Sequence, residues 1–169
     1  MKFKVNGDEI FASTGGRPFD KNKPLIIFVH GSGLTHMTWV LQTRYFAFHG
    51  YSVLALDLPG HGLSGGKSLK SIEDMADWVS DVIDAVEYKE ASLVGHSQGC
   101  LVTIECTARY PDKIKTLSLK EEAEQRAKEE ELRIKEKELK EAERERINKE
   151  NERRKREQEL KIEEERQKR

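Results

Sequence analysis

Hydrophobic positions in the first 119 residues predict strands and helices in alternation. Four runs are almost continuously apolar or β-favouring, which is typical of strands covered by helices on both faces; they span 25–29, 51–56, 91–94 and 114–119. Helical patterns separate these runs at 37–48, 71–86 and 98–109. The alternation predicts an α/β fold with a mostly parallel sheet, right-handed crossovers and helices on both faces.

Two of these patterns carry more local detail. Residues 71–86 place their apolar side chains on one helical face, and Ser71 with Asp74 resembles a capping box. At the N-terminus, 3–5 and 9–13 flank an Asn6-Gly7 pair. Because Asn-Gly tolerates positive φ, these residues predict a short antiparallel hairpin.

Charged residues concentrate beyond residue 119. Of the 50 residues in 120–169, 18 are basic and 18 acidic, and none is Gly, Pro or aromatic. Eleven pairs place Glu four residues before Lys or Arg, which stabilises a helix. The composition divides the chain into 1–119, a partial α/β domain, and 120–169, a long charged α-helix.

A coiled coil is the alternative for the tail. Leu132, Leu139 and Leu160 share a heptad position, but Arg146 and Arg153 interrupt it. The tail is similar to charged helices of the caldesmon and ezrin type in composition only, which indicates no function.

Overall charge and cysteine spacing exclude several classes of protein. The first 119 residues carry 12 basic and 13 acidic side chains, so no basic excess indicates a nucleic-acid partner. No secretion signal is visible, and no apolar run approaches the roughly 20 residues that span a bilayer. Cys100 and Cys106 fit neither a zinc site nor a disulfide framework. We therefore expect a soluble cytoplasmic protein with no metal, no cofactor and no membrane partner.

Two stretches imitate phosphate-binding loops. Residues 60–65 read G-x-G-x-x-G, but the next predicted helix begins only near Ser71, so these glycines do not open a helix. Residues 66–68 read Gly-Lys-Ser like the end of a P-loop, but His61 stands where its first glycine belongs. Both indicate ordinary loops.

The pentapeptide Gly95-His96-Ser97-Gln98-Gly99 carries the clearest chemistry, because it joins a predicted strand to a predicted helix. A serine hydroxyl needs a sharp turn, a base and donors for the oxyanion that it creates. Two glycines at this spacing permit the sharp turn. The pattern predicts Ser97 as a nucleophile.

Two further motifs follow the other buried strands, namely His30-Gly31-Ser32-Gly33 and residues 57–64, which run from Asp57 to Ser64. With the pentapeptide, they resemble the α/β-hydrolase superfamily, most closely its esterase-like and C–C-bond-hydrolase-like members. The resemblance covers 1–119, the N-terminal half of the family pattern. A serine at position 97 implies acyl transfer, on an ester, thioester, amide or activated C–C bond, rather than dehalogenase or epoxide-hydrolase chemistry.

The resemblance also implies the oxyanion donors. One is the backbone N–H of Gln98, and the other is the N–H of Ser32 or Gly33. The supporting residues implied around them are His30, Gly31, Gly95, His96 and Gly99.

Residues for the acid and the base have no matching position. In the family both follow the nucleophile, whereas all five histidines lie before Ser97. Asp112, the one later aspartate, is interpreted as a turn former. His30 is an alternative base, although the resemblance gives it a supporting role. The acid and the base are therefore unknown.

The remaining candidates are interpreted mainly as structural. His61 braces its glycine-rich loop, while His36 and His49 flank helices at the surface. Trp39 and Met37 either line an acyl pocket or pack ordinarily.

Two functions remain open. One is a serine hydrolase by ancestry, acting on a small acyl substrate but incomplete for lack of the acid and histidine. The other is a noncatalytic interaction or spacer protein with a vestigial hydrolase head and a charged rod. The sequence predicts a truncated or chimeric product whose last strand leaves an open sheet edge, so self-association through that edge or the tail is expected.

Overall fold

The computed structural model of the chain describes residues 1–120 and residue 144, so the prediction of a charged helix or coiled coil over 120–169 lies almost wholly outside the described residues. The strands are β1 (Lys2–Val5), β2 (Asp8–Ser13), β3 (Leu25–Val29), β4 (Ser52–Leu56), β5 (Ala91–His96) and β6 (Ile114–Lys120). The helices are α1 (Val40–Phe48), α2 (Ile72–Ala85) and α3 (Gln98–Arg109), with 3₁₀ turns at His36–Trp39 and Pro111–Lys113.

The six strands form one sheet in the order β1-β2-β4-β3-β5-β6. Strands β4, β3, β5 and β6 are parallel, whereas β1 and β2 pair antiparallel, and β2 joins the sheet against β4. Asn6 and Gly7 form the hairpin turn with φ of 51° and 92°. The predicted mostly parallel α/β fold is confirmed.

The sheet is covered on both faces by separate apolar clusters. The larger cluster joins the sheet to α2 and α3, and Leu93, Val79 and Val102 in it are fully buried. The smaller cluster joins the sheet to α1, with Phe28 and Trp39 at its centre. Burial of strand side chains on both faces explains why β3 is apolar throughout and why β4 is apolar after Ser52.

The helix starts agree with the sequence in one case and differ in another. Ser71 caps α2, since its Oγ accepts a hydrogen bond from Asp74 N at 3.0 Å, as the capping-box pattern predicts. The helix predicted over 37–48 instead begins as a 3₁₀ turn, and α1 starts at Val40. Trp39 is the last residue of the 3₁₀ turn, with φ of −110° and ψ of 11°, and its side chain is buried.

Candidate active site

Three loops meet at the carboxyl edge of the parallel strands. Because β3 lies between β4 and β5, the loops after these strands are neighbours. His30 and Gly31 follow β3, Asp57 follows β4, and Ser97 follows β5. This edge is where ligands bind in open α/β sheets.

Ser97 occupies a strained turn between β5 and α3. Its φ of 55° and ψ of −120° lie in a region that non-glycine residues rarely adopt. The side chain is exposed, and among the described residues no side chain forms a hydrogen bond to its Oγ. Helix α3 begins at the next residue, so its positive end faces the serine. The geometry is a sharp strand-to-helix turn, which we call the elbow, as the pentapeptide predicts.

Close backbone approach explains the glycines around the elbow. A Cβ on Gly95 would lie 2.5 Å from the carbonyl oxygen of Gly99, and a Cβ on Gly99 would overlap the carbonyl oxygen of Val29. The first turn of α3 therefore lies directly against the backbone at the ends of β3 and β5. Gly31 packs on the elbow from the neighbouring loop, where an added Cβ would lie 3.0 Å from the Cβ of Ser97.

The predicted oxyanion donors lie on either side of the contact between Gly31 and Ser97. Gly31 starts a tight turn in which its carbonyl oxygen accepts a hydrogen bond from Leu34 N at 3.2 Å. Ser32 and Gly33 form the exposed tip of that turn. Gln98 is the first residue of α3, where backbone N–H groups have no partner within the helix. The structure thus brings Gly31 and the start of α3 to Ser97, and we call the loop from His30 to Leu34 the donor loop after its predicted role.

His30 supports the donor loop through both ring nitrogens. Nδ1 donates to the carbonyl oxygen of Gly31 at 2.8 Å, while Nε2 accepts from the backbone N–H of Leu58 at 3.2 Å. The side chain is fully buried, and burial lowers its pKa below the usual 6.5. With both nitrogens occupied, His30 has no free nitrogen with which to serve Ser97 as a base.

We expect this buried histidine to make stability depend on pH. Since the pKa of His30 is lower in the folded chain than in the unfolded chain, the unfolded chain binds the extra proton first. The free energy of unfolding should therefore fall as pH drops below about 6.5, by up to roughly 1.4 kcal/mol per pH unit. Urea unfolding at several pH values between 7.5 and 5 measures this slope.

His49 provides the matched control for that measurement, because its side chain is exposed. The slope should flatten in His30→Gln and persist in His49→Gln. An unchanged slope in His30→Gln would show that other groups cause the pH dependence.

Asp57 and His36 form a pair that the sequence interpretation missed. The Asp57 carboxylate is buried and accepts hydrogen bonds from His36 N at 2.7 Å, His36 Nδ1 at 2.9 Å and Leu63 N at 2.9 Å. The interpretation of His36 as a surface residue is wrong, since its side chain is only 15% exposed. The sequence feature that could have revealed this pair is Asp57, because a carboxylate directly after a buried strand needs hydrogen-bond donors in the interior.

Other side chains near the edge are structural. Trp39 is 1% exposed and contacts the rings of Phe28 and His96, with centroids 5.1 Å and 6.0 Å away, whereas Met37 is exposed. Trp39 therefore packs in the smaller core cluster, whereas a pocket-lining role for Met37 stays a prediction. Among the described residues, the indole Nε1 of Trp39 is buried without a hydrogen-bond partner.

The glycine-rich loop and the late aspartate occupy the positions interpreted from sequence. His61 contacts the ring of His30 and lies 3.1 Å by Nδ1 from the carbonyl oxygen of Pro59. Since α2 begins only at Ile72, the glycines of 60–65 do not open a helix. Asp112 lies in the 3₁₀ turn after α3, far along the chain from the elbow.

Within residues 1–120, no three His, Cys, Asp or Glu side chains are grouped so that they could hold a metal ion. No helix in this range is long and apolar enough to cross a membrane.

Sequence and structure comparisons agree with this geometry. Residues 24–151 match the family model for the alpha/beta hydrolase fold. The (E)-2-((N-methylformamido)methylene)succinate hydrolase of Acinetobacter baylyi is 33% identical over 100 residues, covering 59% of this chain and 37% of that enzyme. A bifunctional esterase/perhydrolase of Acinetobacter calcoaceticus is 34% identical over 110 residues, covering 63% and 38%.

A solved structure gives the same result for the fold. A predicted CIB-like hydrolase from Thermoplasma acidophilum superimposes with a TM-score of 0.63 at 25% identity, covering 70% of this chain and 60% of that one. The chain spans less than two fifths of the two curated relatives described above. Because the family model matches well over half of the chain, the chain belongs to the α/β-hydrolase family.

Proposed function

We propose that Ser97 is the nucleophile of an acyl-transfer site whose acid and base are not identified in this chain. The observation that carries this proposal is the backbone of Ser97, held at φ of 55° with an exposed side chain at the start of α3. Such strain persists where surrounding packing enforces it, as Gly31 and Gly99 do here. Relatives named as hydrolases and esterases support the same chemistry.

The proposed reaction uses few groups of this chain. Ser97 Oγ attacks a carbonyl carbon of an ester, thioester, amide or activated C–C bond, and its proton passes to a base. The oxyanion accepts hydrogen bonds from the backbone N–H groups of Gln98 and of Ser32 or Gly33. The leaving group departs with a proton, and water then releases the acyl group from the serine.

Labelling with a fluorophosphonate probe tests the nucleophile. We expect slow labelling of the full chain, since a missing general base costs about 10²- to 10⁴-fold in rate. Added imidazole should accelerate labelling by supplying a base from solution. Ser97→Ala should abolish labelling, which intact-protein mass spectrometry measures.

Ser118 provides the matched control, because it is an exposed serine on β6. Ser118→Ala should label at the original rate. Equal labelling of Ser97→Ala, or no labelling of the folded chain at any imidazole concentration, would contradict the proposal.

The noncatalytic interaction protein remains the second candidate, and one observation favours it. Within residues 1–120, Ser97 Oγ has no hydrogen bond to a histidine, while His30 bonds Gly31 and Leu58 and His36 bonds Asp57. A folded chain that never labels would favour this reading, in which the head serves as a binding unit.

A further inference from the structure

The first end of the donor loop is fixed by hydrogen bonds around Gly31. His30 Nδ1 donates to the carbonyl oxygen of Gly31 at 2.8 Å, and Leu34 N donates to the same oxygen at 3.2 Å. The His30 ring is itself held, because its Nε2 accepts from Leu58 N at 3.2 Å in the segment that follows β4. Two donors therefore fix the direction of the Gly31 carbonyl group.

The tip of the donor loop makes fewer contacts. Ser32 and Gly33 are exposed, and Gly33 has φ of 68°, a value typical of glycine at the third position of a tight turn. Among the described residues, neither Ser32 nor Gly33 donates its backbone N–H to a hydrogen bond. The direction of these N–H groups therefore depends on how firmly both ends of the loop are held.

The second end of the donor loop leads to His36, which is bound to Asp57 through two of its nitrogens. The Asp57 carboxylate accepts from the backbone N of His36 at 2.7 Å and from its Nδ1 at 2.9 Å. Two hydrogen bonds from one residue to one carboxylate fix both its position and its orientation. Only Thr35 separates His36 from Leu34, so a shift of His36 would displace the end of the loop.

Asp57 and Leu58 thus hold both ends of the donor loop, and their own positions are well determined. Both residues are buried. The backbone N of Asp57 donates to the carbonyl oxygen of Phe11 at 3.0 Å, and its carbonyl oxygen accepts from Ser64 Oγ at 2.6 Å. The Asp57 carboxylate also accepts from Leu63 N at 2.9 Å. The donor loop is therefore attached to a segment that hydrogen bonds fix on several sides.

The His36 side chain completes this attachment. Its ring is 15% exposed and packs against the ring of Phe11, with centroids 4.8 Å apart. We propose that His36 is a positioning residue, whose Nδ1 hydrogen bond to Asp57 holds the donor loop and so directs the Ser32 or Gly33 N–H at the oxyanion. This role rests on the proposed function, and His36 acts through the loop without touching a reacting atom.

Two variants of nearly the same shape separate the hydrogen bond from packing. His36→Asn keeps a side-chain donor for the Asp57 carboxylate, whereas His36→Leu has none. Fluorophosphonate labelling of the full chain with added imidazole, measured against probe concentration, gives a maximal rate and a half-saturating concentration. His36→Leu should lower the maximal rate about tenfold, since losing one oxyanion donor outright costs about 10²- to 10³-fold. The half-saturating concentration should stay unchanged, and His36→Asn should restore most of the rate.

Amide hydrogen exchange tests the loop without any chemistry at Ser97. The Leu34 amide, which bonds to Gly31, should exchange about tenfold faster in His36→Leu than in His36→Asn or the original chain. The Val86 amide at the end of α2 is the control, because it bonds to the Val82 carbonyl oxygen at 3.1 Å, away from the donor loop. Its exchange should be the same in all three chains.

Equal maximal rates of His36→Leu and His36→Asn, or equal exchange of their Leu34 amides, would overturn the proposal while leaving Ser97 as the nucleophile. A change confined to the half-saturating concentration would also overturn it, since His36 would then act in binding. Equal acceleration at Val86 would indicate a general loss of stability instead of a positioning role. If none of the chains labels, the proposed function fails, and Leu34 exchange alone then supports or excludes ordering of the loop by His36.

Discussion

Replacing Gly99 with alanine is expected to destabilise the chain by about 3 kcal/mol, through overpacking against backbone. The added Cβ would overlap the carbonyl oxygen of Val29 and lie 2.8 Å from that of His30. Neither atom can yield easily, because both belong to the central strand β3 or to the residue directly after it. The helix would have to move away from the sheet, carrying Ser97 out of its strained turn.

The sign of this effect is informative. Helix propensity alone predicts that Gly→Ala inside a helix stabilises by about 1 kcal/mol. The gain in helix propensity therefore opposes the steric cost of the added Cβ. Urea unfolding followed by tryptophan fluorescence measures the result, since Trp39 and Trp78 are both buried and the tail has no aromatic residue. Leu101→Ala, at an exposed position of the same helix, should change stability by less than about 0.5 kcal/mol. A Gly99→Ala chain as stable as the original would show that α3 is not seated on β3.

The region around α3 shows how much of the site could be predicted from the sequence. The pentapeptide at 95–99 predicted a strand, a sharp turn and a helix in the observed places, because glycine spacing encodes backbone approach locally. Local sequence does not encode the order of the strands in the sheet. The positions of β1 and β2 beside β4 depend on pairings between residues far apart in the chain, such as Ala12 with Leu56, which periodicity does not encode.

Histidine roles were the least predictable part of the site. His36 follows a loop and precedes a 3₁₀ turn, so its sequence context resembled that of a surface residue. Its partner Asp57 lies 21 positions later, and the two meet only because β3 and β4 are parallel neighbours. The supporting role of His30 came from the family resemblance, since only its partner Gly31 is adjacent in sequence and its other partner, Leu58, lies in the loop after β4. Contacts that depend on strand pairing were therefore not predictable from local sequence.

Removing the Asp57 carboxylate is the second change with a large expected effect. Asp57→Ala should lower the free energy of unfolding by about 3 kcal/mol, because it leaves buried N–H groups without an acceptor. The orphaned groups are the backbone N–H of His36 and that of Leu63, which the carboxylate joins across two loops. Asp57→Asn should lose less, about 1 to 2 kcal/mol, since its amide oxygen still accepts while its NH₂ faces a donor.

Asp112→Ala supplies the comparison, because Asp112 is exposed in the turn before β6. We expect it to change stability by less than about 0.5 kcal/mol. Fluorescence-detected urea unfolding should rank the variants as Asp112→Ala, Asp57→Asn and Asp57→Ala in order of increasing loss. Limited proteolysis should cut Asp57→Ala faster within 58–64, the loop that the carboxylate holds through Leu63. If Asp57→Ala unfolds at the same urea concentration as Asp112→Ala, the loops at the carboxyl edge are held by other contacts and His36 is not fixed by Asp57.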